Sequence, residues 1–300
     1  MNKYCPGHGL GGSRVNVTFF GVRGSTPCSC DRNARYGGNT SSVVVEAAGS
    51  PPILLDLGTG VRFYGESLPP TRPLHAVALV THLHWDHVQG LPFFSPVLRP
   101  GSSLQVYAPD PGCGLTLEEA FAQSMRPPYF PVPLSDLRGD IRFHAVDSGH
   151  FSVGEVEVTV AVVPHNGPTL GFRLDWRGRS IAFIPDHQQP LDGGRDIAPA
   201  VVELAQGVDL LIHDAQYTQD EFRQKRDWGH STVEYAVEVG LAAKAGMLAL
   251  FHHDPTHDDG TIDRLTADAR AARGCRPLEV LAAHEGLTVA LADQPVASSA

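Results

Sequence analysis

The segment Thr81-His82-Leu83-His84-Trp85-Asp86-His87 constrains the fold of this chain more than any other. Four side chains able to bind a metal lie within six residues, directly after the apolar run 76–80. A strand that ends in a tight loop lets alternate side chains converge on one point. Neutral imidazole together with carboxylate suits zinc, and also manganese or iron(II). Three further positions repeat the placement: His165 follows the β-branched run 156–163, Asp186 follows 181–184, and His252 follows 247–251. Each is a His or Asp where an apolar strand gives way to a loop, as a site on one edge of a sheet requires. The ligand arithmetic assigns His82, His84 and His165 to one metal and Asp86, His87 and His252 to a second, with Asp186 bridging them. Two metals so placed polarise a substrate oxygen and supply hydroxide at neutral pH. His253 is the alternative to His252, because neighbouring residues of an extended chain point to opposite sides.

Composition narrows the partners. Lys and Arg number 23 against 33 Asp and Glu, a net charge of −10, which argues against a broad grip on a phosphate backbone. No apolar stretch approaches the ~20 residues of a membrane helix, and the first fourteen residues carry no apolar core of a secretory signal. Five cysteines, an odd and sparse number, do not form a disulfide framework, so a reducing cytoplasm is the expected compartment.

Patterning predicts strands at 15–20, 42–47, 53–57 and 76–80 in the first half, the second and third joined by the hairpin turn Gly49-Ser50-Pro51-Pro52. The Pro-rich stretch 88–140 is expected to hold short helices around 87–98 and 115–125 beside a cleft. Strands follow at 141–145, 156–163, 170–175 and 180–184. Then come helix 197–205, strand 208–213, helix 231–244, strand 247–251, helix 261–272 and a final strand pair near 278–291. Ser231 and Glu234 are read as a capping box opening the helix at 231. The expectation is an α/β (α+β) chain of two packed sheets with helices outside, forming one domain over 15–292 between a flexible tail, 1–14, and a frayed tail, 293–300.

These residues resemble the signature of the metallo-β-lactamase superfamily, HxHxDH, at His82, His84, Asp86 and His87. The family's later His, Asp and His match His165, Asp186 and His252, and its first-motif Asp matches Asp56, which the resemblance implies supports a ligand. It implies a four-layer αββα sandwich with the metals at one edge. Asp186 stands near where the true lactamases place a cysteine, so β-lactam hydrolysis is not expected. Within the superfamily the chain resembles the ribonuclease Z and cyclic phosphodiesterase branch. Leu211-Ile212-His213-Asp214-Ala215 is similar to its IHEAT segment, with Asp for Glu, and Gly229-His230-Ser231-Thr232 matches its GHST segment. Gly21-Val22-Arg23-Gly24-Ser25-Thr26-Pro27 and Gly37-Gly38-Asn39-Thr40-Ser41-Ser42 resemble its opening turns.

The resemblance implies a dinuclear metal-dependent hydrolase holding two divalent ions, zinc expected, with manganese or iron(II) as alternatives. A phosphodiesterase is expected, cleaving a small phosphodiester such as a nucleotide or cyclic nucleotide by attack of a metal-bridging hydroxide. Asp86 belongs to both the metal set and the catalytic set. His230, supported by Asp214, is expected to stabilise the phosphate or protonate the leaving oxygen. Arg23, Asn39 and Ser41 are candidates for substrate contact. The alternative is a ribonuclease Z-like tRNA 3′-processing endonuclease, although no long basic Gly/Pro-rich insertion for gripping tRNA is seen and the stretch after His252 is acidic. A third reading is a non-catalytic metal-sensing module. Relatives on this branch often dimerise, so a homodimer is an expectation. Cys28 and Cys30, with Cys5 and His8, resemble a structural-zinc turn, set against ordinary loop cysteines. Trp85 is read as a packing residue.

Overall fold

The computed structural model describes residues 14–292. Cys5 and His8, the tail 1–13 and the tail 293–300 lie outside the described residues. The first half of the chain contributes β1 (Arg14–Gly21), β2 (Ser42–Ala47), β3 (Ile53–Leu55), β4 (His75–Leu79), β5 (Ser103–Pro109) and β6 (Asp140–Val146). The second half contributes β7 (Gly149–Val153), β8 (Val156–Val162), β9 (Leu170–Trp176), β10 (Arg179–Ile184), β11 (Leu210–Asp214), β12 (Met247–Phe251), β13 (Glu279–Ala282) and β14 (Thr288–Ala292). They form two sheets, ordered β14-β1-β2-β3-β4-β5-β6 and β13-β12-β11-β10-β9-β8-β7. Each sheet joins an antiparallel part to a parallel part, β3 to β6 in one and β10 to β13 in the other.

The central strands read as unbroken apolar runs because both their faces are buried. Val77 and Leu79 of β4 enter the core between the sheets, while Ala76, Ala78 and Val80 face outward into a second core. Ile181, Phe183, Ile212 and Phe251 meet them from the other sheet. The outer face of the first sheet is covered by α1 (Val61–Ser67), α2 (Trp85–Val88), α3 (Leu117–Ser124) and the coil around them. The outer face of the second packs on α4 (Pro199–Ala205) and α6 (Val233–Ala242), with α7 (Asp259–Ala272) beyond β13; α5 (Gln219–Gln224) precedes α6. The expected four-layer αββα sandwich is the observed architecture.

Several boundaries differ from expectation. The helix expected around 87–98 is broken into α2 and two 3-10 turns, Leu91–Phe93 and Ser95–Leu98, with Pro92 and Pro96 early in those turns. Strands β5 and β7 and helices α1 and α5 were not expected. Residues 278–291 do not form a strand pair: β13 extends the second sheet, whereas β14 crosses back to pair with β1. Arg14, assigned to the tail, already pairs with Ala292. The N-cap of α6 is Thr232, whose hydroxyl accepts from Tyr235 N, and not Ser231, whose hydroxyl donates 2.6 Å to the His187 carbonyl. Among the described residues no helix is long and apolar enough to cross a membrane.

Candidate metal centre

In both sheets the loops after strands of common direction meet at one edge, the usual place for a site in parallel β structure. Asp56 follows β3 and the His82–His87 loop follows β4. His165, Asp186 and His252 follow β8, β10 and β12, and Asp214 ends β11. Two donor groups result. In the first, His84 Nδ1 lies 2.8 Å from His82 Nε2 and 3.3 Å from His165 Nε2. In the second, His252 Nε2 lies 3.1 Å from Asp86 Oδ2 and 3.2 Å from His87 Nε2. Asp186 stands between them. Its Oδ1 is 3.1 Å from His87 Nε2 and 3.3 Å from His252 Nε2, and its Oδ2 is 3.7 Å from His165 Nε2 and 3.8 Å from His82 Nε2.

The outward ring nitrogens fix the tautomers, since the bond made by one nitrogen decides the state of the other. His87 Nδ1 donates 2.7 Å to Asp56 Oδ2, His252 Nδ1 donates 2.7 Å to Gln216 Oε1, and His165 Nδ1 donates 2.7 Å to the Gly229 carbonyl. The Thr81 hydroxyl gives its proton to Asp56 Oδ1, so at 3.1 Å it accepts from His82 Nδ1. Four Nε2 lone pairs are thereby turned inward on one another. Buried Asp186 Oδ1 makes no hydrogen bond of good geometry. Buried acceptors without donors are costly unless a cation lies between them.

Without a metal, the carboxylates draw protons onto two of these rings, which then take the place of a cation. Burial pushes His82, His84 and His165 below the usual imidazole range, which keeps them neutral. Burial acts downward on His87 too, but Asp186, Asp86 and Asp56 raise it well above its ordinary value; Asp186 and Asp86 likewise raise His252 against burial. Burial would raise Asp86 and Asp186, yet the surrounding histidines, His87 first for Asp86 and His252 first for Asp186, hold both below the carboxylate range. The donor set fits a divalent metal.

His230 and Asp214 complete the edge. His230 Nδ1 lies 3.0 Å from Asp214 Oδ2 and 3.6 Å from Asp186 Oδ2, and its ring stacks on His252 at 4.9 Å. Asp214 is fixed by the backbone N–H groups of His187, at 3.1 Å, and Gln216, at 3.0 Å.

All seven residues expected as ligands are thus brought together. His252 faces the cluster, whereas His253 turns away and donates 3.0 Å to the Ala283 carbonyl. Asp56, at a left-handed φ of 60°, holds His87, Thr81 and Ser41. Of the three substrate-contact candidates, Arg23 and Ser41 need correction. Arg23 is wholly buried, with Nε and Nη1 donating to the carbonyls of Gly37, Asp254 and His257. Asn39 ties its turn to Glu285 Oε1 through its backbone N–H, at 2.6 Å, and its side-chain Nδ2, at 3.0 Å. Ser41 is buried and donates 2.7 Å to Asp56. Burial makes Arg23 and Ser41 scaffold, while Asn39 is half-buried with its Nδ2 taken up by Glu285. Trp85 is the opposite case: expected to pack, it is 75% exposed. Cys28 accepts from Asn33 Nδ2 and Cys30 is exposed; neither belongs to a donor cluster among the described residues. Thr81, Gln216 and Ser25, whose N–H donates 2.7 Å to Asp86 Oδ2, were not foreseen. The signal for Thr81 and Ser25 was their place inside the motifs; Gln216 carried none.

Residues 52–253 match the family described as a beta-lactamase superfamily domain. The chain is 26% identical to ribonuclease Z from Synechococcus sp. (strain CC9311), over 86% of this chain and 94% of that protein. Its fold superposes on the short form of human tRNase Z, with a TM-score of 0.64 and 21% identity over 91% of this chain and 98% of the other. It also superposes on a diphosphatase from the PhnP family, with a TM-score of 0.65 and 20% identity over 93% and 98%. A matched domain over most of its length, together with this edge of histidines and aspartates, makes the chain a ribonuclease Z-like member of the beta-lactamase superfamily and a metal-dependent hydrolase.

Proposed function

We propose that the chain is a dinuclear phosphodiesterase acting on small phosphodiesters, with nucleotides and cyclic nucleotides as the favoured class. The carrying observation is Asp186, which offers one carboxylate oxygen to each donor group while His230 stands 3.6 Å away. His82, His84 and His165 would hold one divalent ion and Asp86, His87 and His252 the other, with Asp186 spanning both; an imidazole-rich set favours zinc. Two bound ions supply hydroxide at neutral pH and neutralise phosphoryl oxygens. The outward bonds to Asp56, Gln216, Gly229 and Thr81 keep the four Nε2 lone pairs aimed inward, so no ligand reorganises when substrate arrives. His230 keeps Nδ1 on Asp214, which orients the ring, and Nε2 delivers a proton to the leaving oxygen.

The ribonuclease Z relatives favour a second reading, 3′ processing of tRNA. The test is hydrolysis by the metal-loaded protein of bis-p-nitrophenyl phosphate, a cyclic nucleotide panel and a precursor tRNA. Turnover of the small diesters, with His230→Ala lowering turnover of the cyclic nucleotides by roughly 10²–10⁴ at unchanged metal content, supports the proposal. Cleavage of precursor tRNA alone, with steep salt dependence, establishes the second reading. Inactivity on all three overturns both.

A further inference from the structure

Trp85 sits between His84 and Asp86, yet its side chain is mostly in solvent. It lines a cleft of about 710 Å³, within the range of small-molecule sites. Phe93 and Phe130, edge to face at 5.8 Å, line it together with Tyr129, and Phe121 and Met125 are its buried part. Phe93 and Tyr129 are 57% and 80% exposed. None of the residues lining the cleft is Asp, Glu, Lys, Arg or His; Gln89, Gln123, Ser124 and Tyr129 supply its amide and hydroxyl groups. Large aromatic surfaces left in water beside a catalytic loop call for a ligand. The lining offers no charged side chain to pair with a phosphate, and the aromatic faces with neutral hydrogen-bonding groups suit a planar uncharged ring.

Position says which part of a substrate reaches it. The cleft is built only from residues 83–130, on the first sheet's side of the centre. His230 packs against Asp214, Asp186, His165 and His252, all on the second sheet's side. A phosphodiester whose leaving oxygen faces His230 leaves its retained ester group free to lie on the first sheet's side, where Trp85 joins the cleft to His84 and Asp86.

We infer that this cleft binds the base of a nucleoside ester, stacked on Trp85 and Phe93, and selects nucleoside phosphodiesters over alkyl ones. The inference rests on the phosphodiesterase reading. Stacking of one base is worth about ten- to a hundred-fold in binding.

The test compares kcat/KM of the metal-loaded protein for thymidine 5′-(p-nitrophenyl phosphate) and methyl p-nitrophenyl phosphate, which share a leaving group. The nucleoside ester should be favoured at least about tenfold, chiefly through KM. Phe93→Ala and Trp85→Ala should each lower kcat/KM for the nucleoside ester several-fold more than for the methyl ester. Phe93 lies outside the metal loop and serves where Trp85→Ala disturbs the ligands. Equal rates for the two esters overturn the cleft assignment while leaving the phosphodiesterase reading intact. Equal loss on both esters, as a structural or subunit-contact role would give, also overturns it. If neither ester turns over, the phosphodiesterase reading fails, and the cleft is then judged by thymidine 5′-monophosphate binding. Quenching of tryptophan emission that Trp85→Phe abolishes supports the cleft, and no quenching overturns it.

Discussion

A methyl group at position 24 would occupy the place of the His252 ring, because a Cβ there stands 2.3 Å from His252 Nδ1 and 2.7 Å from Gln216 Oε1. Gly24→Ala should therefore displace His252 and lower metal affinity by roughly 10- to 100-fold, with the far-ultraviolet circular dichroism unchanged. Metal titration of the variant checks this; wild-type affinity would show that His252 is not a ligand. Asp56→Asn should act in the same direction from the other side, since His87 Nδ1 would lose its charged acceptor at 2.7 Å. At this scale the seven donors were legible because each stands where an apolar run ends. Their supports were less so. Arg23, Asn39 and Ser41 lie in motifs that were visible, but burial decides whether a polar residue meets substrate or scaffold, and no motif states its own burial. Gln216 lies two residues beyond Asp214, in a position unremarkable until the second sheet brings it to His252.

Helix α6 carries His230 on its approach, and its start is fixed by Thr232, whose hydroxyl accepts from Tyr235 N and donates 2.9 Å to Gln189 Oε1. Thr232→Ala should cost about 1–2 kcal/mol, whereas Glu234→Ala, which removes the acid of the expected capping box, should cost under about 0.5 kcal/mol. Urea denaturation of the two variants checks this, and the reverse order would restore Ser231 as the cap. The central strands were legible because burial on both faces leaves continuous apolar runs. Strands β5 and β7 were not, since the half-exposed patterns of SLQVYAP and GHFSV resemble loops beside them. The destinations of β13 and β14 could not be read locally, because pairing across sheets is decided by residues far away in sequence, such as Val17 opposite Val289. Helix α5 did carry a local signal, the Thr218–Glu221 capping box, but its six residues give too short an apolar pattern to weigh.

At the scale of the molecule, the site edge stores buried imidazoles that fold only as neutral rings. Burial lowers His82, His165, His187 and His213, and burial followed by Arg23 lowers His253 to about 3. For each, the folded-state pKa lies below the unfolded value near 6.5, so its contribution is whole above pH 6.5 and is lost as pH falls toward the folded value. His87 and His252 are raised and oppose this, but they are fewer. The chelated protein should therefore lose stability between pH 7 and pH 5, by about 1 kcal/mol per pH unit for each uncompensated histidine. Denaturation midpoints at the two pH values check this; a midpoint that rises on acidification would contradict it. The four-layer architecture was legible because the strand and helix pattern allows few packings and the HxHxDH resemblance selects one. The neutral cleft beside Trp85 was not, because it is assembled from residues between 83 and 130 that no period links. The claim that organises this protein is that Asp186 serves two metals at once. Metal content and bis-p-nitrophenyl phosphate turnover measured on the same samples of wild type and Asp186→Ala test it most directly. Two ions per chain in the wild type, with at most one ion and turnover reduced at least a hundred-fold in the variant, is the expected result. A variant that folds, keeps two ions and turns over at the wild-type rate would contradict it.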